Sequence, residues 1–206
     1  MDRDAGTVRA RLRVGNTLNK SSTATMGSLL PLDLWARLDR ITARLPLRWA
    51  GWLAAEELLT ERIAREAGGP AQLRLLEECI GFLNADQREL LGSPTDSALL
   101  RQVELTAQGR AWVYAETLIP DCALDAHPWL ADLGVRALPE ALSWRDDVRY
   151  GAWEVATLPA AHPLATRALQ RVPGRHEAVW ARRAVITIGE ARVLLHEAFL
   201  PDSKSR

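Results

Sequence analysis

Residues 180–188 read W-A-R-R-A-V-I-T-I, residues 189–190 read G-E, and residues 191–200 read A-R-V-L-L-H-E-A-F-L. Two apolar, β-branched runs around a two-residue loop with glycine in first place predict a tight antiparallel hairpin. Side chains two apart on a strand share a face. Val193, Leu195, Glu197 and Phe199 therefore lie together, and a carboxylate stands among groups that should point at a core. Pairing Ile188 with Ala191 sets Glu197 opposite Arg182, on the face that also carries Trp180, Ala184 and Ile186.

Upstream, residues 99–106 and 111–119 are a second pair of strand-like runs around Ala107-Gln108-Gly109-Arg110. The same procedure places Leu99, Arg101, Val103 and Leu105 on one face, opposite Leu118, Glu116, Tyr114 and Trp112, so that Arg101 meets Glu116. A further strand is predicted at Val148–Leu158, and residues 71–83 could be strand or helix. Helical spacing predicts helices over Leu30–Leu45, closed by Pro46, and over Trp49–Ala67, closed by Gly68-Gly69-Pro70. A short helix is expected at Asp86–Leu91 and another at Trp129–Leu142. Helices in one block and hairpins in another predict the α+β class with an antiparallel sheet.

The chain has 206 residues, 48% of them hydrophobic and 25% charged, which suits one domain with a real core. Residues 1–28 are rich in Arg, Ser, Thr and Gly and predict a flexible tail before a single domain over 29–206. Lys+Arg and Asp+Glu are both 26, so no net field draws nucleic acid or a membrane surface. The only lysines are Lys20 and Lys204; the remaining bases are arginines interspersed with acids, a coding bias without binding content. Cys79 and Cys122 lie far apart and read as inert thiols in a reducing compartment. No run approaches a membrane span and the N-terminus lacks a signal-type apolar core, so a cytoplasmic monomer is expected.

Burying a charge costs several kcal/mol unless it is paired and hydrogen-bonded. One reading of the charges on the apolar faces is a set of cross-strand ion pairs that satisfy themselves. The other is a closed pocket in which Arg101 and Glu197 complete their bonding with a ligand. An arginine fork suits a ligand carboxylate, and a buried glutamate suits a hydroxyl or ether oxygen. His127 and His162 precede prolines and read as loop residues, while His196 alternates away from Glu197 and reads as solvated. The four histidines show no metal-binding spacing, and phosphate-loop, dinucleotide and nucleophile-elbow motifs are missing from the sequence. Eight tryptophans should mostly fill the core, with Trp112 and Trp180 near the pocket.

Several ordered words in the chain resemble a known family. Residues 112–120, W-V-Y-A-E-T-L-I-P, are similar to the W-V-x-A-R-T-V-I-P of chorismate pyruvate-lyases. Arg101 falls at the arginine of that family's L-R-E-x-x-L strand, and Leu133-Gly134 with Ala137-Leu138 resemble its L-G-x-x-P-L-G turn. Trp180-Ala181-Arg182-Arg183 looks like W-x-R-R-S, residues 194–201 like L-L-x-E-x-F-L-P, and residues 52–60 like its W-L-x-x-x-x-S-L/M-T. The likeness extends from about Trp49 to Pro201.

The resemblance implies a sheet of about six antiparallel strands with helices over one side. It also implies a buried site under mobile lids, and conversion of chorismate to 4-hydroxybenzoate and pyruvate without metal or cofactor. Carried over by position, Arg101 and the Leu138 backbone N–H would hold the ring carboxylate, Glu197 would meet the ring hydroxyl, and Leu59 would wall the lid. Four positions depart from the pattern: Glu116 replaces an arginine, Ala137 a proline, Pro139 a glycine and Ala184 a serine. Opposite Arg101, Glu116 would compete with the substrate carboxylate, and Pro139 removes one N–H. The alternative is a non-enzymatic domain of the same fold that senses a small carboxylate, as in some transcription regulators, although residues 1–28 are too short and irregular for a winged helix. The pathway its product would feed, toward ubiquinone or another phenolic compound, stays open.

Overall fold

A computed structural model describes residues 34–201. The expected tail over 1–28 and the first residues of the expected Leu30–Leu45 helix lie outside them. What remains of that helix is the short strand β1 (Ala36–Arg37), one turn of helix α1 (Leu38–Ile41) and a 3₁₀ turn, Thr42–Arg44. The expected Trp49–Ala67 helix is two helices, α2 (Leu47–Leu53) and α3 (Leu59–Ala67), the latter closed by Gly68 in the left-handed region at φ 70°. There follow β2 (Gln72–Phe82), α4 (Ala85–Leu91), β3 (Ser97–Ala107) and β4 (Arg110–Pro120). The expected helix at 129–142 is instead a 3₁₀ turn, Pro128–Asp132, and helix α6 (Leu138–Leu142), preceded by α5 (Asp121–Ala126). The strand predicted at 148–158 divides into β5 (Val148–Tyr150) and β6 (Glu154–Pro159). Helix α7 (Pro163–Leu169) and the hairpin β7 (Ala178–Ile188) and β8 (Ala191–Phe199) complete the fold.

The class is α+β, with one wholly antiparallel sheet in the order β1-β6-β7-β8-β4-β3-β2, and β5 pairing with β7 beside β6. The sheet has eight strands rather than six. In the β7–β8 hairpin Ile188 pairs with Ala191 and Arg182 with Glu197, the register read from the sequence. The β3–β4 hairpin differs by one residue. Its loop pairs Ala107 with Arg110 and Thr106 with Ala111, but Leu105 then pairs with Val113, leaving Trp112 as the extra residue of a bulge. Beyond it Arg101 faces Thr117, and Glu116 pairs with Gln102 on the other side of the sheet.

Both faces are covered. On the front face, which carries Glu197, two separate helical blocks pack. One is α2 with α3, burying Trp49, Trp52, Leu53 and Ile63 against Trp112, Val113 and Phe199. The other is α5, α6 and the turn between them, burying Ala123, Leu130, Leu138 and Leu142 against Ile119, Ile186, Val193 and Leu195. The back face takes α7, whose Leu164, Ala165 and Ala168 meet Ala156, Leu158, Ala181 and Ala198, and α4, whose Leu91 meets Leu118 and Leu194. At about 25 cal/mol per Å² of apolar surface, each block is held chiefly by its own burial. The gap between the two front blocks is where the sheet's polar residues are left uncovered by helix.

Candidate active site

Arg101 stands mid-strand on β3 with its side chain on the front face, 1% exposed. Its Nε donates to Glu78 Oε1 at 3.1 Å, a residue opposite it on β2. Its Nη2 donates to the carbonyls of Gly134 and Arg136 at 2.7 and 2.9 Å. The loop that resembles the family's turn is thus wrapped around the guanidinium, with Gly134 at φ 56° making the bend. Burial lowers the Arg101 pKa, and Glu78 opposes that shift. Nη1 makes no hydrogen bond among the described residues, and the residue lines a small chamber. The Leu138 N–H opens α6 just beyond the loop, at a position without an intrahelical acceptor.

Glu197 is 5% exposed and lies between Arg182 of β7 and Ala115 of β4. Its Oε2 accepts from Arg182 Nε at 2.5 Å, and Oε1 accepts no hydrogen bond among the described residues. Arg182 Nη1 reaches the carbonyls of Trp52, Leu53 and Ala55 at 3.4, 3.2 and 2.8 Å. Those bonds gather two carbonyls at the end of α2 and one just beyond it.

Arg101 and Glu197 line one small chamber of about 40 Å³. Its floor is Val103, Leu105, Ala115, Thr117 and Leu195 from the sheet. Leu58, Leu59 and Thr60 close it from the α3 side, and Ala137, Leu138 and Pro139 from the α6 side. A wider vestibule of about 400 Å³, lined by Glu56, Tyr150, Trp153 and Arg182 among others, shares Leu58, Leu59, Pro139 and Glu197 with the chamber. The four residues singled out in the sequence, Arg101, Glu197, Leu138 and Leu59, all line the chamber. Sequence reasoning missed Thr117, whose buried side chain faces Arg101 across the strands and which only the bulge brings to the front. Trp153 and Tyr150 were missed too. The expected Trp112 and Trp180 lie instead in the aromatic cluster under α2, Trp112 with its ring centroid 5.8 Å from that of Trp52.

Two expectations are corrected on the back face. Glu116 does not meet Arg101. It accepts from Tyr114 Oη at 2.7 Å and from Arg167 Nη2 at 2.9 Å, with a second, shorter bond from Arg167 Nε, so it does not compete at the Arg101 fork. Burial, with Glu116 alongside, pushes the Tyr114 phenol up. His196 is not solvated: it is 5% exposed beneath Trp35, because α4 and α7 cover a face expected to be open. Burial, with Arg183, His162 and Arg167 around it, pushes its pKa down to about 3. His162 caps α7 through Nδ1, and His127 Nε2 bonds the Ile188 carbonyl at 2.9 Å. Among the described residues no three His, Cys, Asp or Glu side chains gather where a metal ion could sit, and no helix is long and apolar enough to cross a membrane.

The fold is shared with PhnF and its effector domain. The chain superposes on PhnF from Mycobacterium smegmatis with a TM-score of 0.56 at 16% identity, covering 74% of this chain and 67% of that one. It superposes on the effector domain of PhnF with a TM-score of 0.54 at 18% identity, covering 70% and 89%. Sequence narrows the class further. Residues 29–205 match the family model described as chorismate lyase. A probable chorismate pyruvate-lyase of Pseudomonas aeruginosa is 33% identical over 171 residues, 82% of this chain and 91% of that protein. One of Azoarcus is 35% identical over 176 residues, with the same two coverages of 82% and 91%. The chain belongs to the chorismate lyase family.

Proposed function

We propose that the protein is a chorismate pyruvate-lyase that leaves 4-hydroxybenzoate in the chamber and needs no metal or cofactor. The observation that carries this reading is an arginine fork edge and a carboxylate oxygen, both without hydrogen-bond partners among the described residues, from two residues that line one largely apolar chamber. An isolated donor edge and acceptor on one small cavity suit a ring that bears a carboxylate at one end and a hydroxyl at the other. Arg101 Nη1 and the Leu138 N–H would take the carboxylate, Glu197 Oε1 the hydroxyl, and Leu59 the ring edge.

The reaction is redox-neutral. The ether C–O bond breaks, its electron pair leaves with the enolpyruvyl oxygen, and one ring proton departs as the ring becomes aromatic. Enolpyruvate takes up a proton on carbon and becomes pyruvate. With a downhill ring, the protein need supply only orientation, worth about 7–11 kcal/mol, and charge stabilisation at the ether. Arg182, whose guanidinium carbon lies 4.1 Å from the Trp153 ring centroid at the vestibule wall, places positive charge next to Glu197 where the enolpyruvyl group would leave. The likeness to effector domains supports a second reading, in which the chamber only binds such an acid. Incubation with chorismate separates the two: equal amounts of pyruvate and 4-hydroxybenzoate are expected, and binding of either ring acid without pyruvate release favours the sensor.

A further inference from the structure

We infer that Arg182 is a positioning residue that latches the roof of the chamber to its carboxylate; this deepens the lyase reading and rests on it. The roof is the segment 54–58 between α2 and α3, whose Leu58, with Leu59, walls both chamber and vestibule. The last carbonyls of a helix lack intrahelical donors. Here Arg182 Nη1 reaches those of Trp52 and Leu53 at the end of α2 and that of Ala55 just beyond it, at 3.4, 3.2 and 2.8 Å, while the Trp52 carbonyl also accepts from the Ala55 N–H at 3.3 Å. The same planar guanidinium donates from Nε to Glu197 Oε2 at 2.5 Å. Its plane is fixed between rings, with the Trp153 and Phe199 centroids 4.1 and 5.7 Å from its central carbon.

A cross-strand ion pair needs only the Nε bond. The three carbonyl contacts tie that pair to a segment 127–130 residues away in sequence, at the hinge of the roof. Because the guanidinium is rigid, a roof that lifts either breaks the Nη1 bonds or drags the fork and shifts Glu197. Roof closure and carboxylate placement are therefore one event. Substrate enters with the latch open, and the reacting geometry exists only with it shut.

Hydrogen exchange on the ligand-free protein tests the latch without any ligand. Arg182→Lys keeps the cation but cannot span both sets of acceptors, so amides of residues 54–59 should exchange about tenfold faster while the β7–β8 hairpin is unchanged. If Arg182→Lys does not fold, the double variant Arg182→Met/Glu197→Gln, which removes both buried charges, carries the same measurement. Stopped-flow tryptophan fluorescence then compares 4-hydroxybenzoate release from Glu197→Gln with release from the double variant. Release about tenfold faster from the double variant is expected, since the clamp acts on the roof even when Glu197 is gone. Exchange over 54–59 at the wild-type rate, or no gain in release on adding Arg182→Met, would show that Arg182 merely neutralises Glu197. Failure of the wild type to bind 4-hydroxybenzoate would overturn the lyase reading, and the exchange measurement would still decide the latch.

Discussion

The two faces of the sheet at β3, β4 and β8 carry nearly the same inventory of buried polar groups and use it differently. On the back face the Tyr114 hydroxyl bridges Gln102 and Glu116, and Arg167 closes the set from α7. Glu104 is likewise closed by Arg74 and Arg171. On the front face Arg101 and Glu197 are each held by one or more partners, yet each also keeps a polar atom without a hydrogen bond among the described residues, and both line a cavity. Burial of a charge therefore does not mark a site. What marks it is bonding capacity left over next to space, and the back-face network is a structural device in the sense that removing one member orphans the others.

The comparison can be broken first at Arg101. Arg101→Lys keeps the charge but loses the fork, so the melting temperature should fall because Glu78 and the Gly134 and Arg136 carbonyls lose donors, and 4-hydroxybenzoate affinity, measured by fluorescence where the variant is fully folded, should fall about 10- to 100-fold. Equal affinity in variant and wild type would mean that Nη1 does not meet the ligand.

On the back face the effect should be on stability alone. Glu116→Ala leaves Arg167 and the Tyr114 hydroxyl without their carboxylate and should cost about 3 kcal/mol in urea unfolding, while turnover stays within about threefold. A large loss of turnover in a stable variant would put Glu116 back in the site.

His196 sharpens the same contrast through pH. Its pKa is about 3 folded against an ordinary 6.5, so the unfolded chain binds the extra proton between those values. Stability from this residue is whole above pH 6.5 and is lost as pH falls through the window. By about pH 5 the loss should be about 2 kcal/mol, and His196→Phe should remove it. An unchanged acid limb in that variant would place the titration elsewhere.

Why the two faces were unequally legible in the sequence follows from local physics. The β7–β8 register could be read because Gly189-Glu190 leaves a tight loop with no bulge, so alternation alone located Glu197 and Arg182 on one face. The β3–β4 register could not, because Trp112 adds one residue to β4 without disturbing the apolar pattern around it. That single residue moved Glu116 to the back and Thr117 to the front. The break between α2 and α3 was invisible because Ala54, Ala55, Glu56 and Glu57 favour helix, and the side chain that bonds the carbonyls there, Arg182, lies far along the chain. Burial of His196 was invisible for a related reason: the helix α7 that helps to cover it lies in a stretch where no element was predicted.

The most direct test sets one residue from each face side by side in the same assay, pyruvate release from chorismate. Glu197→Gln keeps shape and an acceptor for Arg182 but loses the charge at Oε1, and turnover should fall about 10³-fold with the fold intact. Glu116→Ala, assayed where it is fully folded, should keep turnover close to that of the wild type. Near-normal pyruvate release by Glu197→Gln, or equal losses in the two variants, would contradict the division of labour between the faces.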